Sequence, residues 1–276
     1  LTSALLITLR EGLEASLIVG IILSYLNRTG NRPAFKPVWL GTGLALLVSV
    51  IAGGLIYFIA GEFQGRVEQL FEGIMVLLAA GVLTWMIFWM RKQARNIRTD
   101  LQTQIQSTLA QGSDSGLMLL AFVAVVREGI ETAIFLFAAT KTSSSTMQSV
   151  IGGLIGLVVA VVLGYGIYKG TSRLNLRVFF NVTGMLLVLV AAGLLVRGVQ
   201  EFQEAGLIAP IVEHVWDFGR WLPSDTGVGG FLSSLFGYNA APSLTEIVVY
   251  FVYLVIAFTA YLSRGKNADI IAAKVS

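Results

Sequence analysis

Apolar residues in this chain are gathered into long runs near positions 3–26, 38–60, 71–90, 117–140, 150–169, 178–200 and 245–263, with polar residues concentrated in the stretches between. A helix needs about 20 such residues to cross the hydrocarbon core of a bilayer, so each run is long enough. The pattern predicts seven transmembrane helices. Two of the intervening stretches exceed a simple turn. In residues 91–116, Ile97, Leu101, Ile105 and Leu109 recur every four positions among polar residues, which predicts that the third helix continues inward as an amphipathic helix. In residues 201–244, Trp216, Trp221, Phe231, Phe236 and Tyr238 predict a segment that packs back on the membrane surface as short helices.

Composition turns this pattern into a class. With 55% hydrophobic and 13% charged residues and a mean hydropathy of +0.78, the chain reads as an all-α integral membrane protein. Lipid offers no hydrogen-bond partners, and helices satisfy their own backbone. The charges set the orientation. Arg28, Arg32 and Lys36 follow the first run, and Arg91, Lys92, Arg95 and Arg98 follow the third. Lys169, Arg173 and Arg177 surround the fifth connection, and Arg264, Lys266 and Lys274 close the chain. The second connection instead mixes Glu62, Arg66 and Glu68, and the fourth carries only Lys141. Basic loops belong in the cytoplasm, which predicts an outward N-terminus and an inward C-terminus. The four basic residues after the third run would then contact anionic membrane lipid. Topology thus accounts for the basic residues without nucleic acid, for which there is no basic domain or aromatic platform. Cysteine is absent, so any metal must be held by oxygen or by the single His214.

Internal similarity predicts how the helices are arranged. Ala79-Ala80-Gly81 recurs as Ala191-Ala192-Gly193, 112 positions later, and Ile56-Tyr57 recurs as Ile167-Tyr168, 111 positions later. Arg10-Glu11-Gly12-Leu13-Glu14 recurs as Arg127-Glu128-Gly129-Ile130-Glu131, 117 positions later. The order of matches is consistent, giving one transmembrane domain over 1–276: repeat one about 1–92, repeat two about 117–203, an outer loop 204–244 and a seventh helix 245–263. Because three helices make one repeat, the second repeat enters the membrane inverted, a plan that places a binding site near the midplane.

The two R-E-G-x-E strings are the candidate chemistry. A charge at the bilayer centre costs roughly 2.5–3.5 kcal/mol on insertion scales, so six ionisable groups in two spans must be paired and used. On a helix, Arg10 and Glu14 are four apart and Glu11 and Glu14 three apart, so they share one side, as do Arg127, Glu128 and Glu131. Gly12 and Gly129 allow close helix contact, or ligand approach to the backbone. Four carboxylates suit a hard or borderline cation. Fully ionised, the two strings carry a net charge of minus two, which one divalent ion neutralises. The plainer reading is a set of structural ion pairs joining helices, and the arginines fit that role in either case.

Further acids have weaker signals. Glu72 opens the third run, where it serves equally as an extra ligand or as a favourable charge at a helix N-terminus. Glu201, Glu204, Glu213, His214, Asp217 and Asp225 would concentrate cations at an outer entrance, or are solvated loop residues. Glu246, at the start of the last run, is undecided between the same roles.

Doubled R-E-G-x-E strings in the first and fourth of seven spans resemble the oxidase-dependent iron transporter family, which includes fungal high-affinity iron permeases and bacterial EfeU-type permeases. Leu70-Phe71-Glu72-Gly73-Ile74, Thr84-Trp85-Met86, Glu204-Ala205-Gly206, Phe236-Gly237-Tyr238 and Ala241-Pro242-Ser243 are similar to the bacterial branch, so the resemblance covers nearly the whole chain. It implies iron uptake across the cytoplasmic (inner) membrane by a multi-pass permease, with Glu11, Glu14, Glu128 and Glu131 as the iron pathway and iron as substrate rather than cofactor. It also implies an extracytoplasmic iron-delivery protein and a ferroxidase or peroxidase partner. Residue chemistry alone leaves two other classes open: a cation/proton exchanger or exporter using the same glutamates, and an intramembrane enzyme using a carboxylate pair. The enzyme lacks a nucleophile, a buried His or a G-x-S-x-G string to work with.

Overall fold

The computed structural model describes residues 1–93, 97–110, 113–142, 145–169 and 176–275, without the side chains of 91–93, 97–99, 176–177 and 261–275. Among the described residues all regular structure is helical: α1 (Thr2–Arg28), a short 3-10 turn (Arg32–Ala34), α2 (Phe35–Glu62), α3 (Arg66–Gln93), α4 (Ile97–Ala110), α5 (Asp114–Lys141), α6 (Thr146–Tyr168), α7 (Leu176–Glu204), α8 (Gly227–Phe236) and α9 (Leu244–Val275). Six of the seven predicted runs lie inside a helix, and the fifth, 150–169, extends one residue beyond the end of α6 at Tyr168. Four of these helices are long and apolar enough to cross a membrane: α2 with the turn before it, α3, α6 and α7. α1 and α5 are as long, but each carries its three motif charges, and the described apolar part of α9 runs only from Leu244 to Ala260.

Local chemistry fixes several ends. Ser113 caps α5 by accepting the Gly116 N–H at 3.0 Å. Ser243 caps α9: its Oγ accepts the Glu246 N–H at 3.3 Å and donates to Glu246 Oε1 at 3.0 Å. α8 ends on Gly237, whose φ of 68° is the left-handed form and whose Cα side lies against the Gly193 backbone, so no side chain fits there. α3 begins six residues before Glu72, with Glu68 in its first turn, so Glu72 does not sit at the helix N-terminus.

Packing contacts give the helix directions. α1 and α6 lie alongside in the same sense: Gly152 meets Leu1, Gly156 meets Leu5 and Thr8, and Gly164 meets Ser16. α5 and α2 do likewise, with Gly41 against Met118, Ser49 against Gly129 and Gly53 against Ala133. In both pairs the approach runs along small residues four apart: Gly152, Gly156, Ala160 and Gly164 in α6, and Gly41, Ala45, Ser49 and Gly53 in α2. α1 and α5 cross in opposite senses, since Ala4 and Ile7 share a cluster with Phe135, Ala138 and Ala139, and Ile18 and Ile22 share another with Leu117, Ala121 and Val125. α3 and α7 are also antiparallel, with Gly198 on Leu77 and Gly184 near Ile87.

The result is a charged centre inside an apolar shell. α2 and α6 are the outermost of these helices; Leu40, Val50 and Phe58, and Leu154, Val158 and Val162, present large apolar side chains outward. α1, α3, α5 and α7 enclose the motifs. Near the α1 C-terminus and the α5 N-terminus, α4 docks its apolar stripe on protein, with Leu101 and Ile105 buried beside Ile22, Leu26, Val38 and Leu117. The expected continuity of α3 into this helix falls on residues 94–96, which, with Arg95, lie outside the described residues. So does Arg173, and so do the side chains of Arg91, Lys92, Ile97, Arg98, Arg177, Arg264, Lys266 and Lys274.

Candidate cation site between α1 and α5

The antiparallel crossing of α1 and α5 brings the two motifs face to face. Arg10 Nη1 lies 3.1 Å from Glu11 Oε1, and Arg10 Nη2 lies 3.3 Å from Glu14 Oε1. In the second motif Arg127 Nε lies 3.0 Å from Glu131 Oε1 and 3.7 Å from Glu128 Oε1. One carboxylate oxygen each from Glu11, Glu128 and Glu131 lie within 4.8 Å of one another, the spacing of a metal-binding group. Glu14 stands just beyond this trio, in the field of Glu131 and Arg127.

All four carboxylates are buried, and the second oxygens of Glu11, Glu128 and Glu131 have no hydrogen-bond partner. Buried polar atoms are almost always satisfied, so carboxylates that meet from two helices and each keep an unpartnered oxygen make this group a candidate cation site. Oxygen-only ligands and, with every group ionised, a net charge of minus two fit a divalent cation of hard or borderline character.

The motif glycines face away from the carboxylates. A Cβ on Gly12 would stand 2.8 Å from the Ala160 Cβ of α6, and one on Gly129 would collide with Ser49 Oγ of α2. Their role here is helix contact. α3 supplies two neighbours that sequence reasoning did not single out as site residues: Met86, whose Sδ lies 3.4 Å from Arg10 Nη1, and Trp89, whose ring centroid lies 4.3 Å from Arg127 Cζ.

The remaining sequence candidates lie elsewhere. Glu72 is buried and paired with Lys141 at the end of α5. Glu201 is buried beside Gly73, with Arg197 Nη2 2.6 Å from its Oε1. Lys141 and Arg197 border a cavity of about 280 Å³ together with Gln200, Asp225, Tyr238 and Asn239. Glu204, Glu213, His214 and Asp217 are exposed; His214 Nδ1 lies 3.2 Å from the Ala241 carbonyl, and Asp217 Oδ1 accepts the Gly219 N–H. The structure does not gather these four into a cluster of metal ligands. Glu246 is consumed structurally, accepting from Gln200 Nε2 and Asn239 Nδ2, each at 2.9 Å, and from Ser243.

With that geometry in view, the chain matches the model of the iron permease FTR1 family over residues 1–264. It is 40% identical over 259 residues to the ferrous iron permease EfeU of Escherichia coli O6:K15:H31 (strain 536), covering 93% of this chain and 94% of that one. It is 41% identical over 258 residues to the protein of that name from Shigella sonnei, covering 93% of each, and 39% identical over 252 residues to that of Yersinia pestis, covering 91% and 89%. No solved structure matches. The chain belongs to the FTR1 family of iron permeases. It is a multi-pass membrane transporter and not an enzyme.

Proposed function

We propose that the chain carries iron, as the ferrous ion, into the cytoplasm through a midplane site formed by Glu11, Glu14, Glu128 and Glu131. The observation that carries this reading is the convergence of Glu11, Glu128 and Glu131 oxygens within 4.8 Å, with a buried, unpartnered oxygen on each. The names of the relatives in Escherichia, Shigella and Yersinia favour the ferrous form, as does the net charge of minus two that the fully ionised motifs carry. Arg10 and Arg127 hold the carboxylates apart and limit that charge. Seven spans with the N-terminus outside, read as two inverted repeats plus α9, agree with the antiparallel α1/α5 crossing and with the matching α1/α6 and α5/α2 pairs. In this orientation Glu72 and Glu201 lie at the outer end, where they form an approach to the site.

Radio-iron uptake into proteoliposomes, with iron offered as ferrous ion under ascorbate or as a soluble ferric chelate, tests the proposal. Uptake of the ferrous form is expected, abolished in Glu131→Gln and Glu14→Gln with normal insertion and yield. Normal uptake by both variants would overturn the site; export from loaded vesicles without uptake would overturn the direction and favour the exporter.

A further inference from the structure

The Arg127 guanidinium has two partners of different kinds. Its Nε faces Glu131 Oε1 at 3.0 Å and Glu128 Oε1 at 3.7 Å, while its Cζ stands 4.3 Å from the Trp89 ring centroid. Trp89 is itself fixed by stacking on Trp85, with centroids 5.9 Å apart and planes 23° apart. Arg127 is 35% exposed, whereas Arg10 is 2% exposed. Arg10 is closed in by both of its carboxylates and by the Met86 thioether, and among the described residues no aromatic ring lies over it.

A cation bound by Glu128 and Glu131 competes with Arg127 for the same oxygens. Two positive groups at such distances repel strongly in a weakly screened interior. The guanidinium must then withdraw from the carboxylates, and inside a membrane it needs another seat. An aromatic face attracts a cation without needing the carboxylate oxygens. Of the two motif arginines, among the described residues, only Arg127 has such a seat, and it is the more exposed.

We propose that Trp89 is a positioning residue for the carboxylate site: its ring holds the Arg127 guanidinium at the open side, so that Arg127 releases Glu128 and Glu131 when a divalent cation arrives and returns when it leaves. Arg10 stays fixed, and exchange of counter-ion for cargo is confined to the second motif. This inference rests on the carboxylate site proposed above.

The test uses the full chain in proteoliposomes, with initial rates of ferrous uptake measured over a range of iron concentrations. Without the ring, Arg127 has only the carboxylates to hold and competes harder with iron. Trp89→Leu is expected to raise KM by about 2- to 30-fold, the equivalent of a contact of about 0.5–2 kcal/mol, with the effect on KM rather than on Vmax per folded molecule. Trp89→Phe, which keeps a ring face, is expected to recover most of the loss. A variant that keeps the stacked Trp85–Trp89 pair and carries Trp39→Phe, Trp216→Phe and Trp221→Phe should change fluorescence on ferrous binding, and that change should vanish when Glu131→Gln is added. An unchanged KM in Trp89→Leu, or equal behaviour of Phe and Leu at this position, overturns the role of Trp89. Should Trp89→Leu fail to fold, the Phe variant and the fluorescence titration decide. If Glu131→Gln transports normally, it is the carboxylate site that fails, a distinguishable outcome.

Discussion

Two copies of one five-residue pattern sit in this protein in unlike surroundings. Arg10 is sealed, touching Glu11, Glu14 and the Met86 sulfur, whereas Arg127 is one-third exposed and lies against a tryptophan. The backbone frame around the copies is closely matched: Gly12 presses on Ala160 as Gly129 presses on Ser49, and the two small-residue stripes correspond along their length. The asymmetry is brought by α3, which gives a different residue to each motif. Under the exchange proposed above, the matched helix pairs set the scaffold, and the contacts from α3 make one half fixed and the other half exchangeable.

The largest expected effect breaks the two arginines apart. Arg10→Ala leaves Glu11 and Glu14 buried without their counter-ion, and removal of one partner from a buried ion pair costs about 3–5 kcal/mol. We expect that variant to be lost from the monodisperse peak in detergent and to melt far below the parent. Arg127→Ala acts on a partly exposed pair, where screening reduces the cost to about 1 kcal/mol or less. It should fold, bind iron and transport abnormally. Equal melting temperatures for the two alanine variants would show that the motifs are equivalent after all.

An intermediate effect sharpens the matched half of the comparison. Gly12→Ala and Gly129→Ala each push a methyl group into a neighbouring helix, at about 1–3 kcal/mol for overpacking. Because the helix pairs correspond, the two losses should be similar, unlike those of the arginines. Relief should also be pairwise: Ala160→Gly for the first and Ser49→Gly for the second, with no cross-rescue, read as melting temperatures of single and double variants. Cross-rescue, or absence of any rescue, would remove the packing explanation for the motif glycines.

The limits of the sequence follow the same division. Helix positions were legible because lipid demands long apolar runs, and the motif was legible because buried charge is costly enough to be conspicuous. Ser243-Leu244-Thr245-Glu246 also carries the S-x-x-E form of a helix N-cap, which could have assigned Glu246 to structure. Hydropathy marked neither Trp89 nor Met86 as a neighbour of the motifs, and Met86 stood out only within the Thr84-Trp85-Met86 resemblance, since an aromatic or thioether on an apolar helix is ordinary lipid-facing or core composition. Which arc of α3 turns inward is decided by packing on α5 and α7. Glu72 illustrates the converse: hydropathy began the third helix at 71, but polar residues from Arg66 onward belong to it, and the partner of Glu72 is Lys141, distant in sequence.

The smallest expected effect concerns the exposed acids between Glu204 and Asp217, set against the buried ones. Glu204, Glu213 and Asp217 can act on an approaching cation only through the field they create, since the structure does not cluster them as ligands. Focused clefts raise on-rates by factors of 10 or more, and an open loop falls below that. Replacing Glu204 and Glu213 by Gln and Asp217 by Asn together should raise the uptake KM by less than about tenfold at low ionic strength. The difference should disappear near 1 M salt, where the Debye length is about 3 Å. Glu131→Gln, by contrast, should be inactive at every salt concentration, because ligation at contact distance is not screened. A salt-insensitive loss in the triple variant would mean that one of these acids touches the ion directly, and the boundary between approach and site would have to move outward.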